Sequence, residues 1–115
     1  MILIIGGFAA GKRSYAGSAF GYSPEDMADG VLDDRPVLYN LQELVRRSPG
    51  SADELFPSLC DKAVVICNEV GGGVVPLDRD ERLWREACGR LCVKLAAAAR
   101  QVVRVHCGIP QVLKG

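Results

Sequence analysis

A glycine-rich segment that ends in lysine directly follows the first apolar run of the chain. Residues 2–5 are rich in β-branched side chains and predict a buried strand, whereas residues 12–20 predict a short helix. Between them, Gly6-Gly7-Phe8-Ala9-Ala10-Gly11-Lys12 fits the first seven positions of the pattern G-x-x-x-x-G-K-[ST]. In such a strand–loop–helix unit, backbone N–H groups and the positive end of the helix converge on phosphate oxygens.

The pattern therefore predicts a nucleotide-binding site for ATP or GTP. Its predicted residues are Gly6, Gly7, Phe8, Ala9, Ala10, Gly11, Lys12, Arg13 and Ser14. Lys12 is expected to reach the β- and γ-phosphates as a catalytic cation. The alternative is a glycine-rich turn that carries a surface lysine.

Arg13 departs from the pattern at the position where a Ser or Thr hydroxyl ligates Mg²⁺. Ser14 does not simply replace that hydroxyl, because one step along a helix rotates a side chain by about 100°. Two interpretations remain open. Either Mg²⁺ is held through waters and an acidic residue elsewhere, or the site binds nucleotide with little turnover. Arg13 itself is a candidate source of extra positive charge for the phosphates.

Glu69 is the predicted acidic partner of this loop. It follows a second apolar run, residues 63–67, that predicts a buried strand. Because the carboxyl ends of parallel strands meet at one edge of a sheet, Glu69 and Lys12 are expected to lie close together. Glu69 is therefore predicted to be a catalytic residue and a ligand of Mg²⁺. The alternative is an acid that caps the glycine loop at residues 71–73.

The remaining elements alternate between strands and helices. They are a loop at 21–34, a strand at 37–39, a helix at 41–47, a turn at 48–50, a helix at 51–59 opened by a Ser51/Glu54 capping box, a long helix at 78–99 and a last strand at 102–107. The long helix places Trp84, Cys88, Leu91, Leu95 and Ala98 on one face. This order predicts a three-layer α/β, P-loop NTPase-like fold with a small parallel sheet, in a single nucleotide-binding domain over residues 1–115.

Charge and composition exclude several classes of function. Fourteen basic residues balance fourteen acidic ones, so no long-range attraction draws the chain to nucleic acid. No apolar run approaches the roughly 20 residues of a membrane span. The five cysteines are scattered, and the apolar start lacks a basic leader, so we expect reduced thiols in a cytoplasmic protein.

Several segments together resemble the bifunctional adenosylcobinamide kinase and adenosylcobinamide-phosphate guanylyltransferase family. Besides the phosphate loop, Asn68-Glu69-Val70-Gly71, Gly73-Val74-Val75-Pro76 and Arg79 are similar to its Asn-Glu-Val-Gly-x-Gly-x-Val-Pro-x-x-Arg segment, and Gly108-Ile109-Pro110 resembles its terminus. The resemblance implies a parallel P-loop sheet, a nucleoside triphosphate with Mg²⁺, and a corrinoid (cobinamide-type) acceptor. It also implies GMP transfer through a guanylylated histidine.

The chain departs from that family in length and in its histidine. It is shorter than usual members between the phosphate loop and Ala63, where the family carries the guanylyl-accepting histidine, and its one histidine is His106. Guanylyl transfer by that route therefore lacks its carrier. Three hypotheses stay open: a compact cobinamide kinase, a non-catalytic nucleotide-binding partner or sensor, and a small P-loop kinase with another acceptor. Both a homo-oligomer and a monomer are compatible with the sequence.

Overall fold

The structure, a computed structural model, describes residues 1–70 and 78–115, so the predicted glycine loop at 71–73 lies outside the described residues. Its strands are β1 (Ile2–Gly6), β2 (Met27–Asp29), β3 (Val37–Tyr39), β4 (Val64–Asn68), β5 (Gln101–His106) and β6 (Ile109–Lys114). Its α-helices are α1 (Lys12–Phe20), α2 (Leu41–Arg46), α3 (Phe56–Cys60) and α4 (Arg79–Ala98). The described strands form one sheet in the order β2-β3-β4-β1-β5-β6. Strands β1 to β5 run parallel and β6 is antiparallel to β5.

The sheet is covered on both faces, which confirms the predicted three-layer α/β fold. Successive residues of β1 point to opposite sides: Leu3 packs with Leu91 and Leu95 of α4, and Ile4 packs with Ala16 of α1. All five side chains are almost completely buried. Burial of a Leu or Ile side chain contributes about 1.5–3 kcal/mol, so these central strands hold the fold together.

Helix α4 begins and packs close to the prediction. The Asp78 carboxylate accepts hydrogen bonds from the backbone N–H groups of Asp80 (2.8 Å) and Glu81 (3.3 Å), and so caps the helix. The predicted apolar face is buried except for Ala98, which is exposed. Ala99 is buried in its place, because it leaves the helix in an extended conformation and leads the chain toward β5.

Two predictions in the first half of the chain were wrong. The predicted loop at 21–34 contains a 3₁₀ turn and the short strand β2, whose three residues lack the β-branched run that marks a strand. The predicted α-helix at 51–59 is a 3₁₀ helix at 49–55 followed by α3, with Ser48 at the N-cap position. The capping box forms instead between Ser23 and Asp26.

A last β-hairpin replaces the single predicted strand at 102–107, so the sheet is mixed rather than parallel. Its turn has positive φ at both Cys107 (50°) and Gly108 (74°), as a two-residue type I′ turn requires. The following strand, β6, contains Pro110 and is exposed along its whole length. A strand with no buried face lacks the apolar signature on which the prediction depended. In residues 1–70 and 78–115, no helix combines the length and apolar character needed to cross a bilayer.

Candidate functional site

The phosphate loop (residues 6–14) joins the end of the central strand β1 to the start of α1. Two of its glycines are required by close backbone packing. A Cβ on Gly6 would lie 2.6 Å from the carbonyl oxygen of Val105 in β5. Gly11 has a φ of 93°, and a Cβ there would lie 3.2 Å from the Cα of Gly108. The two glycines that define the sequence pattern are therefore also the positions at which a side chain does not fit.

The hairpin turn between β5 and β6 supports this loop from the side. The backbone N–H of Gly108 donates a 2.8 Å hydrogen bond to the carbonyl oxygen of Ala10. Ala9 itself has a φ of 56°, a conformation that is unusual for a residue with a Cβ. The loop conformation thus depends on a segment that is distant in the sequence.

Lys12 lies inside the loop rather than on the surface. Its side chain is nearly buried, with 7% of the residue exposed, and Nζ donates a 2.5 Å hydrogen bond to the carbonyl oxygen of Gly7. Burial lowers the pKa of Lys12, while the nearby Cys67 and Glu69 oppose that shift and Arg13 adds to it. A surface lysine, the alternative interpretation, is therefore not what the structure shows.

Glu69 lies beside the loop, as the parallel-strand argument predicts. Strands β1 and β4 are neighbours, Gly6 is in register with Asn68, and the Glu69 N–H donates a 2.8 Å hydrogen bond to the Gly6 carbonyl oxygen. The side chain is paired with Arg104 of β5, whose Nε lies 2.9 Å from one carboxylate oxygen and whose Nη2 donates to the other at 3.2 Å. The sequence analysis did not identify Arg104.

Arg13, the residue after Lys12, stacks on an aromatic ring of another strand. Its guanidinium carbon lies 4.5 Å from the centroid of the Tyr39 ring, at the end of β3. Tyr39 and Asn40 lie at the carboxyl end of an apolar strand, as Asn68 and Glu69 do, and that shared position is the signal that would have found them.

A cavity of about 660 Å³ opens over the loop on the side of β2, β3 and β4. It is lined by Phe8, Ala9, Ala10, Gly11, Lys12, Arg13, Ser14, Gly17, Tyr22, Pro24, Met27, Tyr39, Asn40, Ile66 and Asn68. The cavity therefore brings together residues 8–14 of the predicted site with aromatic and amide side chains that the sequence analysis did not single out. Its volume falls in the range of small-molecule sites.

A chain of amide side chains fixes the wall of this cavity. Gln42 is 4% exposed; its Oε1 accepts a hydrogen bond from the Asn68 N–H (2.9 Å) and its Nε2 donates to Asn40 Oδ1 (3.1 Å). Asn40 Nδ2 in turn donates to Asp29 Oδ1 at 2.7 Å. Trp84 Nε1 donates to the Gln42 carbonyl oxygen at 2.7 Å, so α4 is tied to the same wall. These hydrogen bonds therefore fix the carboxyl ends of β2, β3 and β4 relative to one another.

The residues beside the loop do not fit a magnesium site of the kind that the G-x-x-x-x-G-K-[ST] pattern builds. Arg13 has no oxygen ligand to offer, and both oxygens of Glu69 contact the Arg104 guanidinium. Among the residues that the structure describes, no group of three or more His, Cys, Asp or Glu side chains is placed to hold a metal ion. The role of Glu69 as a magnesium ligand stays a prediction, and it requires Arg104 to release a carboxylate oxygen.

Comparison with known proteins identifies the family. Residues 37–113, well over half of the chain, match the family model described as cobinamide kinase / cobinamide phosphate guanyltransferase. The chain belongs to this family. The matched range of the cobinamide kinase model includes Tyr39, Glu69 and Arg104 but begins after the phosphate loop, so the loop is assigned from its own sequence and geometry.

Two curated relatives are bifunctional adenosylcobalamin biosynthesis proteins CobU, from Escherichia coli (strain K12) and Salmonella typhimurium (strain LT2). Each is 45% identical to this chain over 53 residues. The matched stretch covers 46% of this chain and 29% of each relative, so the chain spans less than a third of the relatives' length in this match.

Proposed function

We propose that the chain binds ATP or GTP on the phosphate loop and transfers the terminal phosphoryl group to the hydroxyl of a cobinamide-type corrinoid in cobalamin biosynthesis. The observation that carries the proposal is the placement of Lys12. In a chain of the cobinamide kinase family, a nearly buried ammonium group lies at the carboxyl end of the central strand, inside a glycine loop and beside a cavity of about 660 Å³.

The chemistry asked of these residues is positioning and charge stabilisation. Phosphoryl transfer needs an in-line approach and cations on the oxygens of the transferring group. Backbone N–H groups of the loop and the Lys12 ammonium would hold the β- and γ-phosphates, which requires Lys12 to leave the Gly7 carbonyl oxygen. Mg²⁺, were it to accompany the nucleotide, would add positive charge at the same oxygens, and Glu69 would be its ligand only after a carboxylate oxygen is released from Arg104.

The cavity wall would receive the acceptor. Asn40 and Asn68 present amide groups at the carboxyl ends of β3 and β4, and Tyr22 and Met27 add apolar surface. Amide groups beside apolar surface suit a flexible side chain of the acceptor that carries a hydroxyl group. We propose no guanylyl transfer through a covalent histidine, because His106 at the end of β5 is the chain's one histidine and lies outside the segment where the family carries that residue.

Nucleotide binding without turnover is the second candidate. Two observations favour it: Arg13 stands at the position of the metal-binding hydroxyl, and the Glu69 carboxylate is paired with Arg104. A chain with these features would act as a nucleotide-dependent partner or sensor. A small kinase with another acceptor remains a hypothesis without an observation of its own.

Calorimetric titration with ATP and GTP, followed by a turnover assay, tests the proposal. Lys12→Ala should weaken nucleotide binding by about tenfold to a hundredfold, because a charge-assisted hydrogen bond is lost. Lys94→Ala is the matched control, since Lys94 lies on α4 in an exposed pair with Asp53 (3.3 Å). Unchanged binding in the Lys12 variant contradicts the loop assignment.

The turnover assay separates the two candidates. Purified protein is incubated with γ-labelled nucleotide, Mg²⁺ and cobinamide. Labelled cobinamide phosphate supports the kinase and contradicts the sensor, whereas tight binding without product does the opposite. Labelled product with a nucleoside or a sugar, and not with cobinamide, points to another acceptor.

Self-association and a cytoplasmic location are further proposals. Strand β6 is an exposed edge that carries Ile109 (68% exposed), Val112 and Leu113, and such an edge favours pairing with another strand. Light scattering of the wild type and of Val112→Lys tests this: a dimer or larger species that dissociates in the variant supports the proposal, and a monomeric wild type contradicts it.

A further inference from the structure

We infer that the phosphate loop binds its polyphosphate ligand without a divalent cation, and that the Arg13 guanidinium supplies the positive charge that a metal ion supplies in loops with Ser or Thr at this position. The inference rests on the proposed nucleotide binding, and concerns how tightly the anion is held rather than how fast it reacts.

Two positive charges stand at the start of α1, and the helix itself supplies no negative charge there. Lys12 and Arg13 are the first two residues of this nine-residue helix, its first turn contains no acidic residue, and no side chain caps it. Cations at the positive end of a helix are unfavourable, and an anion at that point relieves the repulsion. A divalent cation at the same point would add to the repulsion instead.

The Arg13 side chain is held in the wall of the cavity by its contact with Tyr39. The guanidinium lies over the ring, 4.5 Å from the centroid, and both residues line the cavity that contains the loop. A guanidinium offers five N–H donors in a planar fork that matches two phosphate oxygens. Stacking on Tyr39 reduces the freedom that Arg13 must lose on binding, and it keeps the donors at the cavity that contains the loop.

The carboxylate nearest to the loop is already neutralised. Glu69 contacts Arg104 through both oxygens. Three cations, Lys12, Arg13 and Arg104, therefore accompany Glu69 at the loop, while the Asp29 carboxylate lies farther along the cavity wall and accepts a hydrogen bond from Asn40. Since Arg13 provides no oxygen ligand and both Glu69 oxygens contact Arg104, the residues that the structure describes offer a metal ion no free carboxylate at the loop, whereas a polyphosphate finds two cations and the backbone N–H groups.

Calorimetric titration of the full chain with ATP, GTP and tripolyphosphate, in EDTA and in excess Mg²⁺, tests the inference. The dissociation constant in EDTA is expected to be equal to or lower than that in Mg²⁺. Binding only in Mg²⁺ overturns the inference and leaves the proposed nucleotide binding intact. Binding in neither condition overturns the proposed function itself, and this inference with it.

Variants at position 13 sharpen the test. Arg13→Ser should lose about tenfold to a hundredfold of its affinity in EDTA and bind more tightly in Mg²⁺ than in EDTA. Arg13→Lys should fall between this variant and the wild type, because it keeps the charge and loses the planar fork. Arg47→Ser, an exposed arginine just after α2, is the matched control and should match the wild type. Unchanged affinity of Arg13→Ser in EDTA refutes the inference; circular dichroism checks that each variant is folded.

Discussion

Alanine at position 6 is expected to damage the protein, whereas alanine at position 7 is not, although both glycines belong to the same loop. A Cβ at Gly6 would lie 2.6 Å from the Val105 carbonyl oxygen and 3.3 Å from Cδ of Lys12. The first contact is with backbone, so β1 and β5 must move apart. Overpacking of this kind costs about 1–3 kcal/mol. At Gly7 no atom lies within 4 Å of the added Cβ, and its φ is not in the left-handed region.

Urea unfolding of the two variants measures this difference. Gly6→Ala should lower the free energy of unfolding by about 1–3 kcal/mol at an unchanged m-value, with a melting temperature lower by roughly 4–12 °C. Gly7→Ala should stay within about 1 kcal/mol of the wild type, since it also restricts the unfolded chain. Equal stability of the two variants, or greater damage at position 7, would refute the packing argument.

Three other perturbations probe the site and the core. Replacement of the buried Gln42 by Leu (Gln42→Leu) leaves the part-buried Asn68 N–H without its partner and should cost about 1–3 kcal/mol of stability in chemical denaturation. Burial lowers the pKa of Lys12 from its ordinary 10.5, so nucleotide binding should weaken as the pH rises through the lowered pKa. In that pH range the protein should take up protons on binding, and calorimetry in buffers of different ionisation enthalpy measures this uptake. For the same reason, the contribution of Lys12 to stability without ligand should rise with pH between the lowered pKa and 10.5. A thiol reagent should label the exposed Cys107 first and leave Cys88 protected, since burial raises the pKa of Cys88 to about 12; mass spectrometry of the labelled peptides checks the order.

Local sequence patterns predict the central strands of the sheet but not its two edge strands, β2 and β6. Strands β1 and β4 are continuous apolar runs, and α4 has a capped start and a regular apolar face, so each carries its own signal. Strands β2 and β6 carry no such signal. Three residues suffice for β2 because it pairs with β3, and β6 exists because a tight turn folds it back on β5. Their pairing is a property of the assembled sheet.

The site shows the same division between local and long-range information. The closeness of the Lys12 loop to Glu69 follows from the rule that parallel strands present their carboxyl ends at one edge. The partners of these residues do not follow from it. Arg104 reaches Glu69, and Tyr39 lies under Arg13, only because β5 and β3 take particular places in the sheet. A single sequence does not reveal the order of strands, and therefore does not reveal these pairs.

The hydrogen bond from Gly108 to the Ala10 carbonyl oxygen has a consequence for how the protein folds while it is being translated. The glycine loop leaves the ribosome well before the turn against which it rests. A nascent chain therefore carries the complete motif before the turn that supports the loop has been made. A product clipped ahead of the final hairpin should contain every residue of the phosphate-loop pattern and lack this support, so we expect it to lose the proposed nucleotide binding.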